Sequence, residues 1–204
     1  MPSLAITGTL GSGKSVLLHA VIEQLTQQGF PVTSYSADEE NRRLLLEDKE
    51  VCTEIACSLG KEFLDPQGLP DRVKLANLIS TDLGARKILE GIMHPRLESI
   101  WRPLAELHRG EKSSFFIAEI PLLYEKGLSG YFDRVLVTGC SDSIRKSRLK
   151  DNRSISNSQA EQWLSIQQSQ DHKIPLADHL FWNDGSPESM KRQVSQLLRY
   201  QSTP

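Results

Sequence analysis

The stretch AITGTLGSGKS, residues 5–15, restricts this chain more than any other. Gly8, Gly11 and Gly13 fall close together in it. A glycine gives up more backbone entropy on folding than any other residue, so the run makes a poor strand and a poor helix. Yet an apolar run, Leu4-Ala5-Ile6, leads into it, and a helical pattern, Val16-Leu17-Leu18, leads out. The stretch reads as a strand, a tight glycine turn and a helix. Such a turn is worth its entropy only where the backbone needs conformations closed to other residues, or where another group must approach it closely.

The rest of the chain sets the frame. Its 204 residues suit one domain with a small insertion and can bury a real core. A net charge of −2 gives no general pull toward nucleic acid or acidic membranes, so any anion site must be built locally. No apolar run approaches the roughly 18 residues of a membrane span, and MPSLAITG does not read as a signal peptide. Cys52, Cys57 and Cys140 match no zinc spacing; they read as buried small hydrophobes in a reducing cytosol. The scattered histidines predict no structural metal site.

Strand and helix patterns alternate. Residues 3–7, 31–36, 113–120, 134–139 and 179–182 read as strands. Helical patterns cover 14–28, 39–48, 50–60, 71–80, 82–92, 95–108, 142–150, 156–170 and 187–200. Pro95 reads as the first position of its helix, where proline is favoured. Near-continuous apolar strands between helices predict an α/β fold, a parallel sheet covered on both faces. Sites in such sheets lie beyond the carboxyl ends of the strands. The first three strands end in GTLGSGKS, ADEENR and EIPLLYE.

The opening question now has an answer. Gly8, four residues, then Gly13-Lys14-Ser15 fits the phosphate-binding loop G-x4-G-K-[ST]. Backbone N–H groups of Gly8, Gly11, Ser12, Gly13, Lys14, Ser15 and Val16 line such a loop, and the helix that follows aims its positive end at the anion. Lys14 would neutralise the β- and γ-phosphates of ATP, and Ser15 would hold Mg²⁺. Glu119, ending the third strand, is a second candidate for the metal or its water. Arg145, Lys146, Arg148, Lys150 and Arg153 form a basic run. Arg153 falls between two helical patterns, where a mobile lid over the phosphates is expected. His94 and Arg96 are candidates for contact with an acceptor substrate.

Taken together, the chain resembles the dephospho-coenzyme A kinase family. The matching elements are Thr7 to Ser15, Ala37-Asp38, Asp71-Arg72, His94-Pro95, the stretch Glu119-Ile120-Pro121-Leu122-Leu123-Tyr124-Glu125, Ala177-Asp178 and Asn183-Asp184-Gly185. The resemblance implies a three-layer P-loop NTPase fold with a five-stranded parallel sheet. It implies a core at about 1–38 and 111–204, a helical substrate-binding insertion at about 39–110 and a lid at about 150–170. The implied reaction moves the γ-phosphate of ATP to the ribose 3′-hydroxyl of dephospho-coenzyme A, with Mg²⁺. The implied partner is a small molecule, with no nucleic acid and no membrane. Asp38, Arg72, His94, Arg96, Glu119 and Leu122 would hold the acceptor. Most of the family read D-A-D after the second strand; here it is Ser36-Ala37-Asp38. The carboxylate function then passes to Asp38, unless Asp38 only caps the helix that begins EENRR. Two other readings stay open: another small-molecule or nucleotide kinase on the same core, and a nucleotide-binding regulatory module without catalysis.

Overall fold

The computed structural model describes residues 3–111, 113–151 and 167–201. It divides into two compact units, Met1–Tyr35 with Pro103–Pro204, and Ser36–Arg102.

The first unit is built on a five-stranded sheet of order β2-β3-β1-β4-β5. The strands are β1 Ser3–Gly8, β2 Val32–Ser36, β3 Phe115–Glu119, β4 Arg134–Gly139 and β5 His179–Trp182. β1 pairs in parallel with β3 and β4, and β4 in parallel with β5. β1 and β3 are buried at every position, which is why their sequences run apolar without alternation. α1, Lys14–Gln27, and the closing helix, Pro187–Gln201, cover one face. Leu17, Val21 and Leu25 of α1 meet Met190 and Val194 over Ile6, Ile117 and Leu136 of the sheet. Two shorter helices, Asp142–Asp151 and Gln170–Lys173, complete the described part of this unit. β1 leads to β2 on one side of the sheet while its neighbour β3 leads to β4 on the other, and the crevice beyond their carboxyl ends is where such sheets bind ligands.

The second unit is helical: α2 Ala37–Glu47, α3 Lys49–Ser58, α4 Arg72–Thr81 and the start of α5, Leu83–His108. Leu44, Val51, Ile55, Leu75, Ile92 and Met93 form its core. Aspartates cap α3 and α4, as expected of Asp at an N-cap. Asp48 accepts from Glu50 N at 2.9 Å, and Asp71 from Val73 N at 3.0 Å. The turn between them is held by Asp65, whose Oδ1 accepts from Gln67 N and Leu69 N at 2.9 Å each.

Three expectations need correction. α2 begins at Ala37, and its cap is Ser36, which accepts from Glu39 N at 3.5 Å. Asp38 is therefore inside the first turn and is not the cap. The helices read at 82–92 and 95–108 are one helix, with Pro95 in its interior. Of the cysteines only Cys140 is buried; Cys52 is half-buried and Cys57 exposed, and all three are free. Of the helix expected over 156–170, residues 156–166 lie outside the described residues, as does the lid arginine Arg153; residues 167–169 are not helical, and Gln170 begins the short helix Gln170–Lys173. No described helix is long and apolar enough to cross a membrane.

Candidate active site

The glycine turn joins β1 to α1 at the carboxyl edge of the sheet. Gly13 is the N-cap of α1, with φ +92° in the left-handed region, and gives the helix no side-chain cap. No acidic residue stands in the first turn either. The leading N–H groups of α1 are thus left for an anion. A Cβ on Gly13 would run into the Asn183 amide. One on Gly8 would strike the Thr138 hydroxyl and come within 2.7 Å of Ser12 Oγ. The loop packs so tightly on Thr138 and Asn183 that neither position admits a larger residue.

Its shape is fixed from several elements at once. Ser12 Oγ and Thr138 Oγ1, at the end of β4, share a buried hydrogen bond of 2.6 Å. Asn183, just past β5, donates its Nδ2 to Ser12 O at 2.8 Å. Arg148, on the helix Asp142–Asp151, donates to Gly11 O at 3.3 Å and to Asn183 O at 2.8 Å. Gln167 Oε1 accepts from Leu10 N at 2.7 Å. The carbonyls of Gly11 and Ser12 are taken up by protein donors, Leu10 N and Ser12 N also donate within the protein, the latter to Thr9 O at 3.1 Å, and an anion is left the remaining loop N–H groups. Cys140 packs behind the loop with Sγ 3.8 Å from Gly11 O, and burial pushes its thiol up from the ordinary range.

Lys14 is buried, at 8% exposure, and its Nζ lies 3.5 Å from Thr9 O. Ser15 donates to Glu119 Oε1 at 3.3 Å, and Glu119 is 3% exposed. The register places Ile6 beside Glu119 and Gly8 beside Thr138, so the ends of β3 and β4 flank the loop. A serine hydroxyl and a buried carboxylate beside a phosphate cradle form an oxygen donor set that fits a hard cation such as Mg²⁺. Val16 is 37% exposed on the first turn of α1. Leu122 is half-buried in the turn after β3.

Four predicted residues belong to the helical unit. Asp38 is exposed in the first turn of α2, and Arg72 is exposed at the first position of α4. His94 is half-buried on α5. Arg96, a candidate for acceptor contact, is held in a cluster of carboxylates. Its guanidinium is 2.7 Å from Glu54, with Glu50 at 3.9 Å and Asp48 at 4.0 Å. It also donates to Ile92 O at 2.9 Å.

Sequence reasoning missed Thr138, Gln167 and Lys173, and named Arg148 and Asn183 without their task. Thr138 and Asn183 stand at strand ends, the signal that would have found them. Lys173 carries no such signal. It sits in a polar stretch, yet it is fully buried, with Nζ 2.8 Å from Pro121 O and 3.0 Å from Glu125 Oε1.

Comparison with known proteins agrees with this geometry. The family model described as dephospho-CoA kinase matches residues 3–189. A dephospho-CoA kinase of Symbiobacterium thermophilum is 32% identical over 200 residues, covering 98% of this chain and 81% of that protein. Among solved structures, TT1252 from Thermus thermophilus superposes with a TM-score of 0.74 at 27% identity, covering 98% of each chain. Dephospho-CoA kinase from Campylobacter jejuni gives 0.64 at 25% identity, covering 98% of this chain and 96% of that one.

Proposed function

The chain belongs to the dephospho-CoA kinase family, and from that premise we propose how its residues divide the work. The enzyme phosphorylates the ribose 3′-hydroxyl of dephospho-coenzyme A with ATP, giving coenzyme A and ADP, the last step of coenzyme A synthesis. The observation that carries the assignment of the site is the Ser15–Glu119 hydrogen bond beside the glycine cradle.

Phosphoryl transfer has a loose transition state with charge on the equatorial oxygens, so the protein's task is positioning and charge stabilisation. The N–H groups of Gly11 and of Gly13 to Val16 cradle the β- and γ-phosphates, Ser12 shapes the loop through Thr138, and Lys14 offsets the phosphate charge. Ser15 and Glu119 would hold Mg²⁺ or its water, and the ion would supply further charge neutralisation. The helical unit holds the acceptor through Arg72 and His94, with Leu122 and Glu119 contributing from the β3 turn. Arg96 supports that unit through Glu54. Asp38 takes the proton from the 3′-hydroxyl as its oxygen bonds to the γ-phosphorus and the bond to the β-phosphate oxygen breaks. Arg153 belongs to a lid at about 150–170 that closes over the phosphates. We assign the core to about 1–38 and 111–204 and the acceptor insertion to about 39–110, and we place the enzyme in the cytoplasm, with a small molecule as its partner.

The family match over residues 3–189 favours this reading over another kinase on the same core and over a regulatory module. The test is ADP release with dephospho-coenzyme A, compared with adenosine and nucleoside monophosphates. Selective turnover of dephospho-coenzyme A is expected. Equal or greater turnover of a monophosphate, or none of any acceptor, would overturn it.

A further inference from the structure

Lys173 is fully buried, and the reaction above gives it no part. A buried ammonium is costly unless it is paired and hydrogen-bonded. Its partners lie on one turn. Nζ donates to Pro121 O at 2.8 Å and pairs with Glu125 Oε1 at 3.0 Å. Glu125 Oε1 also accepts from Gln168 N at 2.7 Å, which fixes that carboxylate from the other side.

The turn matters because of what precedes it. β3 ends at Glu119, and Ile120 N still bonds to Ile6 O at 2.9 Å. Pro121 has no N–H and cannot extend the ladder. Its carbonyl becomes the point that fastens the chain after Glu119. Two side chains hold it: Lys173, and Thr7 through Oγ1 at 3.2 Å. Thr7 immediately precedes the glycine turn. Lys173 is thus joined through the Pro121 carbonyl to Glu119, and through Glu119 to Ser15. Packing alone needs no charge here, since a methionine fills similar space. The position is also electrically part of the site: burial lowers the Lys173 ammonium from its ordinary range, Glu125 pulls it back, and Lys14 lowers it again.

We propose that Lys173 is a positioning residue for phosphoryl transfer, holding the Pro121 carbonyl so that Glu119 stays against Ser15. The proposal rests on the reading of Ser15 and Glu119 as the metal-side pair. The full chain is tested as Lys173→Met, Glu119→Gln, the two combined, and Lys173→Met with Glu125→Leu. That last variant removes both members of the buried ion pair, so neither is left alone, and keeps the question open to test if Lys173→Met alone folds poorly. Partners that orient metal ligands typically contribute 10–100-fold, so kcat of both Lys173 variants should fall by about that factor. The Mg²⁺ concentration for half-maximal rate should rise, and by more than any rise in KM for dephospho-coenzyme A. In the Glu119→Gln background, adding Lys173→Met should have little further effect on kcat, because the two act through one path. Parental kcat and Mg²⁺ dependence in the Lys173→Met, Glu125→Leu variant would overturn the proposal, as would losses that multiply in the combined variant. Parental kcat in Glu119→Gln would overturn the metal-side reading itself, and with it this proposal.

Discussion

Lys14 is buried beside the loop it serves. Truncation to alanine would mix charge loss with a cavity, so Lys14→Met is the cleaner variant. Loss of one preorganised charge in such a site typically costs roughly 2.7–4 kcal/mol of transition-state stabilisation, so kcat should drop by about 10²–10³. Thermal melting near that of the parent with undiminished ADP production would refute the role. Asp38 poses a different question. Ser36 holds the cap of α2, so the capping alternative for Asp38 no longer competes with the general-base role. Asp38→Asn should melt almost normally and lose about 10²–10⁴ in turnover, the usual worth of a positioned base. A loss of less than about threefold would refute it, because a base of ordinary worth is far larger. Ser36→Asp keeps a good cap and restores the common D-A-D pattern, so a rise in turnover is expected without a change in melting. Lys173 marks the limit of residue-level reading. Nothing in a polar segment distinguishes a lysine that will be enclosed by three neighbouring turns from one that will face water.

At the scale of elements, near-continuous apolar runs made β1, β3 and β4 legible, since burial on both faces leaves that signature. Pro95 misled because proline usually stops a helix or starts one. The overriding signal was present. Leu89, Ile92, Met93, Leu97 and Ile100 all face one core, a helical repeat that passes through Pro95 without interruption. The proline itself is exposed on the opposite side. Which strand ends would grip the loop was less legible, because the sheet order that brings β4 and β5 beside it depends on contacts between segments far apart in sequence. That grip predicts an outcome. Asn183 is 4% exposed and donates to Ser12 O. Asn183→Ala leaves that carbonyl unsatisfied, a loss of about 1–3 kcal/mol in stability. It also loosens the cradle, so KM for ATP should rise while KM for dephospho-coenzyme A stays. Unchanged KM for ATP in a normally folded Asn183→Ala protein would mean that the loop holds its shape without β5. Arg96→Met should act differently. A half-exposed ion pair of this kind contributes at most about 1 kcal/mol, so a small fall in melting temperature with no change in either KM is expected. A rise in KM for dephospho-coenzyme A would return Arg96 to the acceptor site.

Over the whole molecule, a net charge of −2 leaves phosphate recognition to local groups, and several partly or fully buried groups couple the fold to pH. They pull in opposite directions. Burial lowers the Lys173 ammonium, so the unfolded chain holds more protons there, and this contribution makes stability rise with pH toward the ordinary lysine value of 10.5. Burial raises the Cys52 and Cys140 thiols above 9.0, and their contributions make stability fall with pH above that value. Tyr124 has the most definite window. Its hydroxyl donates to Leu176 O at 2.7 Å. Burial, with Asp178 adding to it, holds the phenol pushed up to about 12 from an ordinary 10.0. The protonated form is the one the fold favours. Its stabilising effect is complete below pH 10.0 and disappears as pH rises through the folded value of about 12. Tyr124→Phe removes the hydrogen bond at every pH but also removes this slope. Urea midpoints for parent and variant, measured from about pH 9 to about pH 12, isolate it from the lysine and the thiols, which both proteins share. The parent should be the more stable protein at the lower end, and the gap should close as pH climbs. A gap that stays constant across the range would show that the Tyr124 hydroxyl ionises alike in the folded and unfolded chain.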